Sequence, residues 1–567
     1  MLVATVVLIE MVAVSKLHRR LLTVMMVAMT TILAFAASPE TARAADAGAI
    51  TIGGDVATQY DAYQLFSATV TDKAGSDQKV ATDLAWASDA ARQAVLPVLY
   101  DAGFDSSAST AQEAAEWLNA DGHMSTALAA RLACAICNAG AASVPLNAGM
   151  AAELPCGYWL IVADDDAIAQ GEAGTAPIMA LVGGSAVTVK PKAATPKVSK
   201  HVLEDSTAAW QKAADATVAD DLYWRLSATV PAGLTAYDTY TVQFVDTMSA
   251  GLDPSKVAAS MRVYVAAGAD GGFDAVSTGK DGRAGTEPAK GWTDITAQCA
   301  TKVAADGKTF TVRTGDLIAA LGGADAFTAG ARVVAVYNAP LNSACNHGIA
   351  KGNPNEVYLR YPRSPFADQS GDAGFTRTPS DDACAYTWDL ALTKRGSDGD
   401  KPLAGAVLSI ADDRGRTLAA DGTWDAEGKA TVTTGEDGRV TVSGVDSGKL
   451  EVRELKAPKG YTAFEGTRSV TVKAEGLDVD QVAAAKPKLT ITAESPLRAD
   501  SADGSTGSLE ASLINTPTGT PPSITTGGFM PSTGDMAMYA AVAAAVAGAA
   551  LIVVALLVKR GGGSHKE

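Results

Sequence analysis

The stretch Leu222-Tyr-Trp-Arg-Leu-Ser-Ala-Thr-Val230 alternates apolar and polar side chains along its whole length. Because successive side chains of a strand point to opposite faces, this alternation predicts a strand with one face in a core. Residues 239–245, 261–266 and 332–337 show the same period, with Gly-rich turns between them. Short alternating strands separated by turns are typical of a β-sandwich, so we predict a mainly β fold here.

The length of 567 residues predicts several domains rather than one. The formal net charge of −17 argues against a nucleic-acid partner, because phosphate contacts need clustered Lys and Arg. The five His are scattered without metal-ligand spacing, and the chain has neither a Gly-x-Ser-x-Gly motif nor a phosphate-binding loop. We therefore predict no metal, no cofactor and no enzymatic activity.

The N-terminus has the pattern of a secretory signal peptide. A basic cluster ending at Arg20 precedes the apolar segment 21–37, and Ala42-Arg-Ala44 offers a cleavage site between small residues. We predict removal of residues 1–44 on secretion. Apolar residues also lie ahead of the basic cluster, which leaves Met1 and Met11 as alternative starts.

The C-terminus combines three elements within residues 530–567. The pentapeptide Met530, Pro531, Ser532, Thr533 and Gly534 precedes an uncharged apolar run over 536–558, and a basic pair follows. At about 1.5 Å per residue this run is long enough to cross a ~30 Å hydrocarbon layer as a helix. The basic pair predicts that everything before the pentapeptide lies outside the membrane. Residues 517–529, rich in Pro, Thr and Gly, are predicted to be a spacer.

This C-terminal arrangement resembles the cell-wall sorting signal (LPXTG type) of Gram-positive surface proteins. In those proteins a sortase cleaves between Thr and Gly and passes the Thr carbonyl to an amine. The resemblance implies cleavage after Thr533, with Met530 in the place of the usual Leu.

Residues 45–195 are predicted to form an α+β N-terminal domain. A DxSxS motif at Asp105-Ser-Ser-Ala-Ser109 matches metal-dependent adhesion domains, but Thr110-x-x-Glu113 directly after it has the form of a helix capping box, so we attribute the match to chance. The predicted strands are 49–52, 60–70, 158–162 and 187–190, and the predicted helices are 83–101, 111–118 and 125–137.

Three segments of this domain carry a family resemblance: Tyr60-Asp-Ala-Tyr-Gln-Leu-Phe66, Cys156-Gly-Tyr-Trp-Leu-Ile161 and Val187-Thr-Val-Lys-Pro-Lys192. They resemble the first domain of sortase-assembled backbone pilins of the SpaA/FimA-like type. There a Tyr-Pro-Lys element supplies the amine that attacks the sortase-bound Thr of another subunit. The resemblance implies Lys192 as this amine; Lys190 replaces the Tyr and remains an alternative, because alternation puts both side chains on one face.

The second predicted domain, residues 196–365, resembles the collagen-adhesin A-like domains of such pilins through Tyr240-Thr-Val-Gln-Phe-Val-Asp246. In those domains a Lys on the first strand and an Asn on the last condense into an isopeptide bond beside an acidic residue. The resemblance implies Lys200 as the amine, Asn355 as the carboxamide and Asp246 as the catalytic acid. Asn353 lies on the same face as Asn355 and remains an alternative acceptor.

The third predicted domain, residues 384–516, resembles the collagen-adhesin B-type (SpaA-type) fold through Leu390-Ala-Leu-Thr-Lys394, Glu451-Val-Arg-Glu454 and Leu513-Ile-Asn515. The resemblance implies Lys394 as the amine, Asn515 as the carboxamide and Glu454 as the catalytic acid. An amine attacks only when it is neutral, and burial lowers the pKa of Lys while it raises that of a carboxyl. Each bond forms once, so this is maturation rather than enzymatic turnover.

The six cysteines would enter an oxidising compartment after secretion. We favour a disulfide between Cys299 and Cys345. One of Cys134 and Cys137 is a candidate partner for Cys156.

The resemblance as a whole implies tandem immunoglobulin-like β-sandwiches after an α+β domain, in the backbone subunit of a covalently polymerised, wall-anchored surface pilus. It also implies the partners: a class C-type sortase, identical subunits, minor tip and base pilins, and peptidoglycan through a housekeeping sortase. A monomeric wall-anchored adhesin that binds a host ligand is the alternative. A secreted wall enzyme would need a catalytic set, and we find none in the sequence.

Overall fold

The computed structural model describes residues 47–519, except 54–58, 121, 170, 192–194, 232–233, 269–290, 366 and 368. The predicted signal peptide, the sorting pentapeptide, the apolar C-terminal run and Lys192 lie outside the described residues. Within them, no helix is long and apolar enough to span a bilayer. The mainly β prediction is confirmed, because strands in six sheets dominate the described chain.

The N-terminal part contains two sheets and three helices. One sheet has the strand order β5-β1-β8 and the other β3-β2-β6-β7 with β4 also paired to β2. The predicted helix 83–101 is wrong in its first turns, since a strand continues to Trp86 and the Ser88 hydroxyl caps a helix that begins at Asp89. The elements are β1 (Ala47–Ile52), β2 (Gln59–Asp72), β3 (Lys79–Trp86), α1 (Asp89–Asp101), α2 (Ala111–Asn119), α3 (Thr126–Asn138), β4 (Ser143–Asn147), β5 (Ala151–Pro155), β6 (Gly157–Ala163), β7 (Ile178–Val182) and β8 (Val187–Val189).

The second part is a sandwich of two sheets that share one apolar core. A six-stranded sheet, β10-β9-β12-β18-β14-β15, faces the sheet β11-β21-β19-β13-β17-β16, in which β20 also pairs with β19. The elements are β9 (Val198–Glu204), β10 (Ala209–Gln211), β11 (Ala213–Asp215), β12 (Tyr223–Thr229), β13 (Gln243–Met248), α4 (Val257–Ser260), β14 (Arg262–Ala266), β15 (Trp292–Asp294), β16 (Ala300–Val303), β17 (Thr309–Arg313), α5 (Leu317–Ala320), β18 (Arg332–Asn338), β19 (Asn353–Pro362), β20 (Phe375–Arg377) and β21 (Asp381–Tyr386).

The third part is a second sandwich with its own core. Its sheets are β27-β22-β33-β29, with β32 on β33, and β25-β24-β23-β28-β30-β31, with β26 on β23. Its first and last strands, β22 and β33, are parallel neighbours. The elements are β22 (Trp388–Gly396), β23 (Val407–Ala411), β24 (Thr417–Leu418), β25 (Trp424–Asp425), β26 (Val432–Thr433), β27 (Arg439–Val445), β28 (Gly448–Lys456), β29 (Tyr461–Thr462), β30 (Thr467–Glu475), β31 (Lys488–Ala493), β32 (Leu497–Asp503) and β33 (Ser508–Pro517).

The strand β21 joins the two sandwiches. It pairs with β19 and with β11 of the second part, and its Cys384 side chain also packs in the core of the third. Two residues after β21 ends, β22 begins. The proposed start of the third domain at 384 therefore falls inside a strand that belongs by its hydrogen bonds to the second sandwich.

The structure contains neither of the disulfides that the sequence analysis favoured. The Cys299 thiol donates to the carbonyl of Ile295 at 3.3 Å, whereas the Cys345 sulfur lies 3.5 Å from His347 Nε2. Because the two thiols face different neighbours, the predicted Cys299–Cys345 disulfide is not formed. The candidate pairing of Cys134 or Cys137 with Cys156 is not formed either.

Carboxylates gather where the two sandwiches meet. Asp215 on β11 accepts hydrogen bonds from Trp388 Nε1 at 2.6 Å, and from the backbone nitrogen and hydroxyl of Ser447 at 2.9 and 2.6 Å. Burial and repulsion from Asp215 raise the pKa of the neighbouring Glu204 to about 7. Burial and the same neighbours raise the pKa of Asp446 well above its usual range. Ionising these carboxyl groups at neutral pH therefore lowers the free energy of unfolding.

We expect this junction to make stability depend on pH. A carboxyl whose pKa is higher in the folded state than in the unfolded state stabilises the fold fully at pH values below its unfolded-state pKa, which is 4.5 for Glu204. That contribution is lost as the pH rises through the folded-state pKa of about 7. One pKa unit corresponds to about 1.4 kcal/mol, so Glu204→Gln should reduce the loss of Tm between about pH 5 and pH 8 by several degrees. Calorimetry at both pH values measures this, with the exposed Asp478→Asn as control. An unchanged pH dependence in Glu204→Gln contradicts the prediction.

Candidate functional site

The second sandwich buries a lysine where alternation calls for an apolar side chain. Lys200 on β9 is fully buried on the same face as Val202. Asp246 on β13 and Asn355 on β19 are also fully buried, and they belong to the facing sheet. In the register of β13 with β19, Asn355 lies opposite Met248 and Asp246 lies opposite Val357. The two sheets therefore direct amine, carboxyl and carboxamide into one core.

These side chains meet around a tyrosine hydroxyl. Lys200 Nζ donates to Asp246 Oδ2 and to Tyr337 Oη, the latter at 2.8 Å. Tyr337 Oη donates to Asp246 Oδ2 at 3.1 Å, and Asn355 Nδ2 donates to Tyr337 Oη at 2.8 Å. Burial lowers the pKa of Lys200 to about 8 against the attraction of Asp246, and burial raises the pKa of Asp246 despite Lys200. Both shifts favour the neutral forms of the pair.

The two candidate asparagines have different surroundings. The carboxamide of Asn353 donates to the carbonyls of Asn346 (2.9 Å) and Ala385 (3.2 Å) and accepts from the Asn346 nitrogen (2.8 Å). Asn355 instead contacts Tyr337, and its Oδ1 is buried without a hydrogen-bond partner in the described part of the chain. Of the two, only Asn355 is joined to the lysine and the acid through one shared hydroxyl.

An ion pair holds the backbone of Lys200. Asp381 Oδ2 accepts from the Lys200 backbone nitrogen at 2.7 Å, and Lys212 Nζ donates to the Lys200 carbonyl at 2.9 Å. Lys212 and Asp381 are themselves paired. Strand β10 ends at Gln211, opposite Val202, so it offers Lys200 no backbone partner on that side. The two side chains take its place and fix the strand that carries the amine.

The third sandwich contains a second set of the same chemical types. Lys394 on β22 and Asn515 on β33 occupy inward positions of neighbouring parallel strands, with Lys394 opposite Leu513 in the register. Glu454 comes from β28 of the facing sheet. The exposed fraction of each of these three residues is 6% or less. The first and last strands of this sandwich are therefore neighbours, and they carry the amine and the carboxamide at nearby positions.

The contacts in this second set are direct. Asn515 Nδ2 lies 2.9 and 3.0 Å from the two carboxylate oxygens of Glu454, and Lys394 Nζ lies 3.8 Å from Glu454 Oε1. Lys394 Nζ also donates to the Leu513 carbonyl at 3.0 Å, which holds it two residues from Asn515 along β33. Phe464 donates its backbone N–H to Glu454 at 3.1 Å. Burial lowers the pKa of Lys394 to about 8, against the attraction of Glu454.

In the described part of the chain, the oxygen atoms of both carboxamides are buried without a hydrogen bond, which is energetically unfavourable. The Oδ1 atoms of Asn355 and Asn515 have no hydrogen-bond partner among the described residues. A buried acceptor without a partner costs about 1–3 kcal/mol. A proton moved from the lysine to the carboxyl yields a neutral amine and a neutral acid, and the acid is then a donor for the carboxamide. This arrangement suits amide formation with loss of ammonia.

The remaining predicted residues lie elsewhere. Lys190 directly follows β8 and is exposed, whereas Lys192 and the pentapeptide with Thr533 lie outside the described residues. The capping box predicted at Thr110 and Glu113 is present at the start of α2, where each residue's side chain bonds the other's backbone nitrogen. In the described segments, no group of three or more His, Cys, Asp or Glu has the geometry of a metal site.

Sequence reasoning missed Tyr337. Its signal was available, because Val333, Ala335 and Tyr337 alternate inward along β18 and a buried tyrosine hydroxyl needs a partner. The sequence does not give the identity of that partner, since Lys200, Asp246 and Asn355 reach the hydroxyl from three other strands.

Fold and site together define a chain with two tandem β-sandwiches, each of which buries an amine, a carboxyl and a carboxamide. Residues 389–486 match the family model described as SpaA, prealbumin-like fold domain. This segment contains Lys394 and Glu454 and ends before Asn515. The third sandwich is thus a SpaA-type domain, and the predicted resemblance to this family is confirmed there.

The chain is also similar to several known proteins. Over 143 residues the chain is 30% identical to the trypsin-resistant surface T6 protein of Streptococcus pyogenes serotype M6, and the match covers 24% of each protein. The chain therefore aligns with about a quarter of the length of this curated relative. Among solved structures it is similar to the T6 backbone pilin of the same serotype (TM-score 0.46, 16% identity, 83% of this chain and 98% of that one). It is also similar to the major pilin SpaD of Corynebacterium diphtheriae (TM-score 0.41, 14% identity, 85% and 100%).

Proposed function

We propose that this chain is the structural backbone subunit of a covalently polymerised surface pilus. The observation that carries the proposal is the buried set of Lys394, Glu454 and Asn515, which links the first and last strands of the third sandwich. A cross-link at this point lets a domain transmit tension without unfolding. A subunit pulled through both ends needs that property, and a freely folded monomer does not.

The proposed bond in the third domain forms in balanced steps. The Lys394 ammonium gives a proton to Glu454, and the neutral Nζ attacks Cγ of Asn515. Glu454 then delivers its proton to the departing nitrogen, which its oxygens already contact at 2.9 and 3.0 Å, and it accepts a proton from Nζ. One C–N bond forms, another breaks and ammonia leaves. Glu454 is ionised before the reaction. It is protonated at the end, because it has taken the extra proton from the attacking nitrogen.

The same product is proposed in the second domain, between Lys200 and Asn355 with Asp246 as the acid. Here the shared tyrosine hydroxyl supports Asn355 over Asn353 as the acceptor. The ion pair of Lys212 and Asp381 supports Lys200 as the amine, since it holds the strand while the side chain reacts.

Polymerisation is proposed to join Thr533 of one subunit to Lys192 of the next, with Lys190 as the alternative, through a class C-type sortase. The other proposed partners are minor tip and base pilins and peptidoglycan, reached through a housekeeping sortase. The proposed location is the cell wall, after a transient membrane anchor. The net charge of −17 gives no support for nucleic-acid binding.

The proposal is tested on wall extracts probed with an antibody against this chain. A pilus backbone gives a ladder of high-mass species that survives boiling in detergent and reducing agent, because amide bonds join its subunits. A single band at the mass of one anchored subunit would instead identify a monomeric surface protein. Mass spectrometry of the ladder should contain a peptide in which Thr533 is joined to a lysine.

A further inference from the structure

The hydroxyl of Tyr337 occupies the centre of the reacting groups in the second domain. A tyrosine hydroxyl has one hydrogen to donate and two lone pairs to accept with. Here all three are used, since it donates to Asp246 and accepts from Lys200 Nζ and Asn355 Nδ2. Both nitrogens whose bonds to carbon change in the proposed reaction therefore touch this one oxygen at 2.8 Å.

The third domain lacks this bridge. There the carboxylate of Glu454 contacts the leaving nitrogen of Asn515 directly. Asp246 is shorter by one methylene, and its hydrogen bonds in the structure go to Lys200 and Tyr337 rather than to Asn355. The second domain thus needs another group to carry a proton to the leaving nitrogen, and Tyr337 is in contact with that nitrogen.

We propose that Tyr337 is a catalytic residue of isopeptide formation in the second domain, where it relays a proton from the Lys200 nitrogen to the Asn355 nitrogen. This inference rests on the proposed function of the Lys200–Asn355 pair. It concerns only how the bond forms.

The relay balances in protons and bonds. Lys200 first passes a proton to Asp246, and its neutral Nζ attacks Cγ of Asn355. The carboxamide nitrogen then loses its delocalisation and becomes basic, so it takes the hydroxyl proton of Tyr337 while the hydroxyl takes a proton from Nζ. Ammonia leaves, the new amide remains, and Tyr337 regains its starting form. Asp246 stays protonated, as a donor to the new carbonyl.

The surroundings keep this hydroxyl protonated. Burial, the larger cause, and the charge of Asp246 raise the pKa of Tyr337 well above its usual range, so the hydroxyl enters the reaction as a neutral donor. Its ring is fixed by Phe310 in an edge contact with centroids 4.8 Å apart, which limits the directions in which the hydroxyl can point. The relay therefore starts from an ordered geometry.

The test is Tyr337→Phe in a chain covering 45–529, which contains every described element. General acid–base groups typically contribute about 10²–10⁴-fold to a rate, so the Lys200–Asn355 cross-linked peptide should form at least about 100-fold more slowly than in the wild type. The Lys394–Asn515 peptide should appear at the wild-type rate, because its domain has no such tyrosine contact in the structure. Both peptides are counted by mass spectrometry over a time course after refolding.

Two further variants make the result decisive. Tyr264→Phe removes a hydroxyl from the neighbouring strand β14, on the opposite face of the same sheet, and should leave both rates unchanged. Asp246→Ala should abolish the second-domain peptide and marks the level of no reaction. A wild-type rate in Tyr337→Phe overturns the relay while the proposed bond stands. Absence of the Lys200–Asn355 peptide from the wild-type chain refutes the proposed bond itself. To distinguish slow chemistry from misfolding, the near-ultraviolet spectrum of Tyr337→Phe should remain native; loss of it would overturn a purely catalytic role.

Discussion

Cells that carry Lys192→Ala are expected to lose the detergent-resistant ladder completely and to display the chain as a single wall-anchored species. The proposed polymer grows only when an amine of one subunit attacks the Thr533 carbonyl held by the sortase. Removal of that amine stops growth at the first subunit but leaves secretion and final anchoring intact. The measurement is a blot of wall extracts beside a blot for total chain in the same cells.

The matched variants separate charge from nucleophilicity. Lys192→Arg keeps a positive charge, but its guanidinium stays protonated in proteins and does not attack a carbonyl, so we expect it to behave like the alanine variant. Lys190→Ala should keep the ladder, although Lys190 is exposed just beyond β8. If Lys190→Ala loses the ladder and Lys192→Ala keeps it, the two lysines have been assigned in the wrong order.

The second large effect is expected from Glu454→Ala. Without the carboxyl, no group accepts the Lys394 proton, and the amine stays charged and unreactive. The intact mass of the chain covering 45–529 should then fall short of its sequence mass by one ammonia, roughly 17 Da, instead of two. The proposed bond closes a loop of roughly 120 residues, and in the chain-entropy model calibrated on disulfides its loss costs about 4–5 kcal/mol. We expect the Tm of the third domain to fall by about 10–20 °C.

The extension of the third domain under a pulling force is a second measurement on the same variant. In the wild type, tension that enters at β22 is expected to pass through the proposed Lys394–Asn515 bond into β33, so the residues between them should stay folded. In Glu454→Ala they should extend by roughly 400 Å on unfolding, at about 3.3–3.6 Å per residue. The control is Glu451→Ala. Glu451 is an exposed residue on β28, the strand of Glu454, and it forms an ion pair with Lys449. This variant should retain both ammonia losses and the short extension, and equal extension in both variants would contradict the load path.

Much of the fold could be predicted from alternation alone. The strand predicted from Leu222 to Val230 is present as β12, and those predicted at 261–266 and 332–337 are present as β14 and β18 within one residue at each end. Lys200 and Lys394 were identified by the resemblance to the pilin family rather than by period 2, and the structure buries both of them. The helix 83–101 was extended too far because Ala-rich strands and helices have similar composition, and Ser88 was not recognised as the cap.

The sequence by itself determined which side chains turn inward, because a strand's alternation is a local property of the backbone. The prediction that lysines, acids and asparagines share the two cores came from sequence motifs that resemble those of the pilin family. Only the tertiary structure decided which of them touch. The choice between Asn353 and Asn355, and the hydroxyl of Tyr337 between amine and carboxamide, depend on how one sheet is stacked and shifted over the other. That shift is set by the packing of the whole core, including Trp224 and Phe310 around Lys200 and Tyr337, and not by the period of any strand.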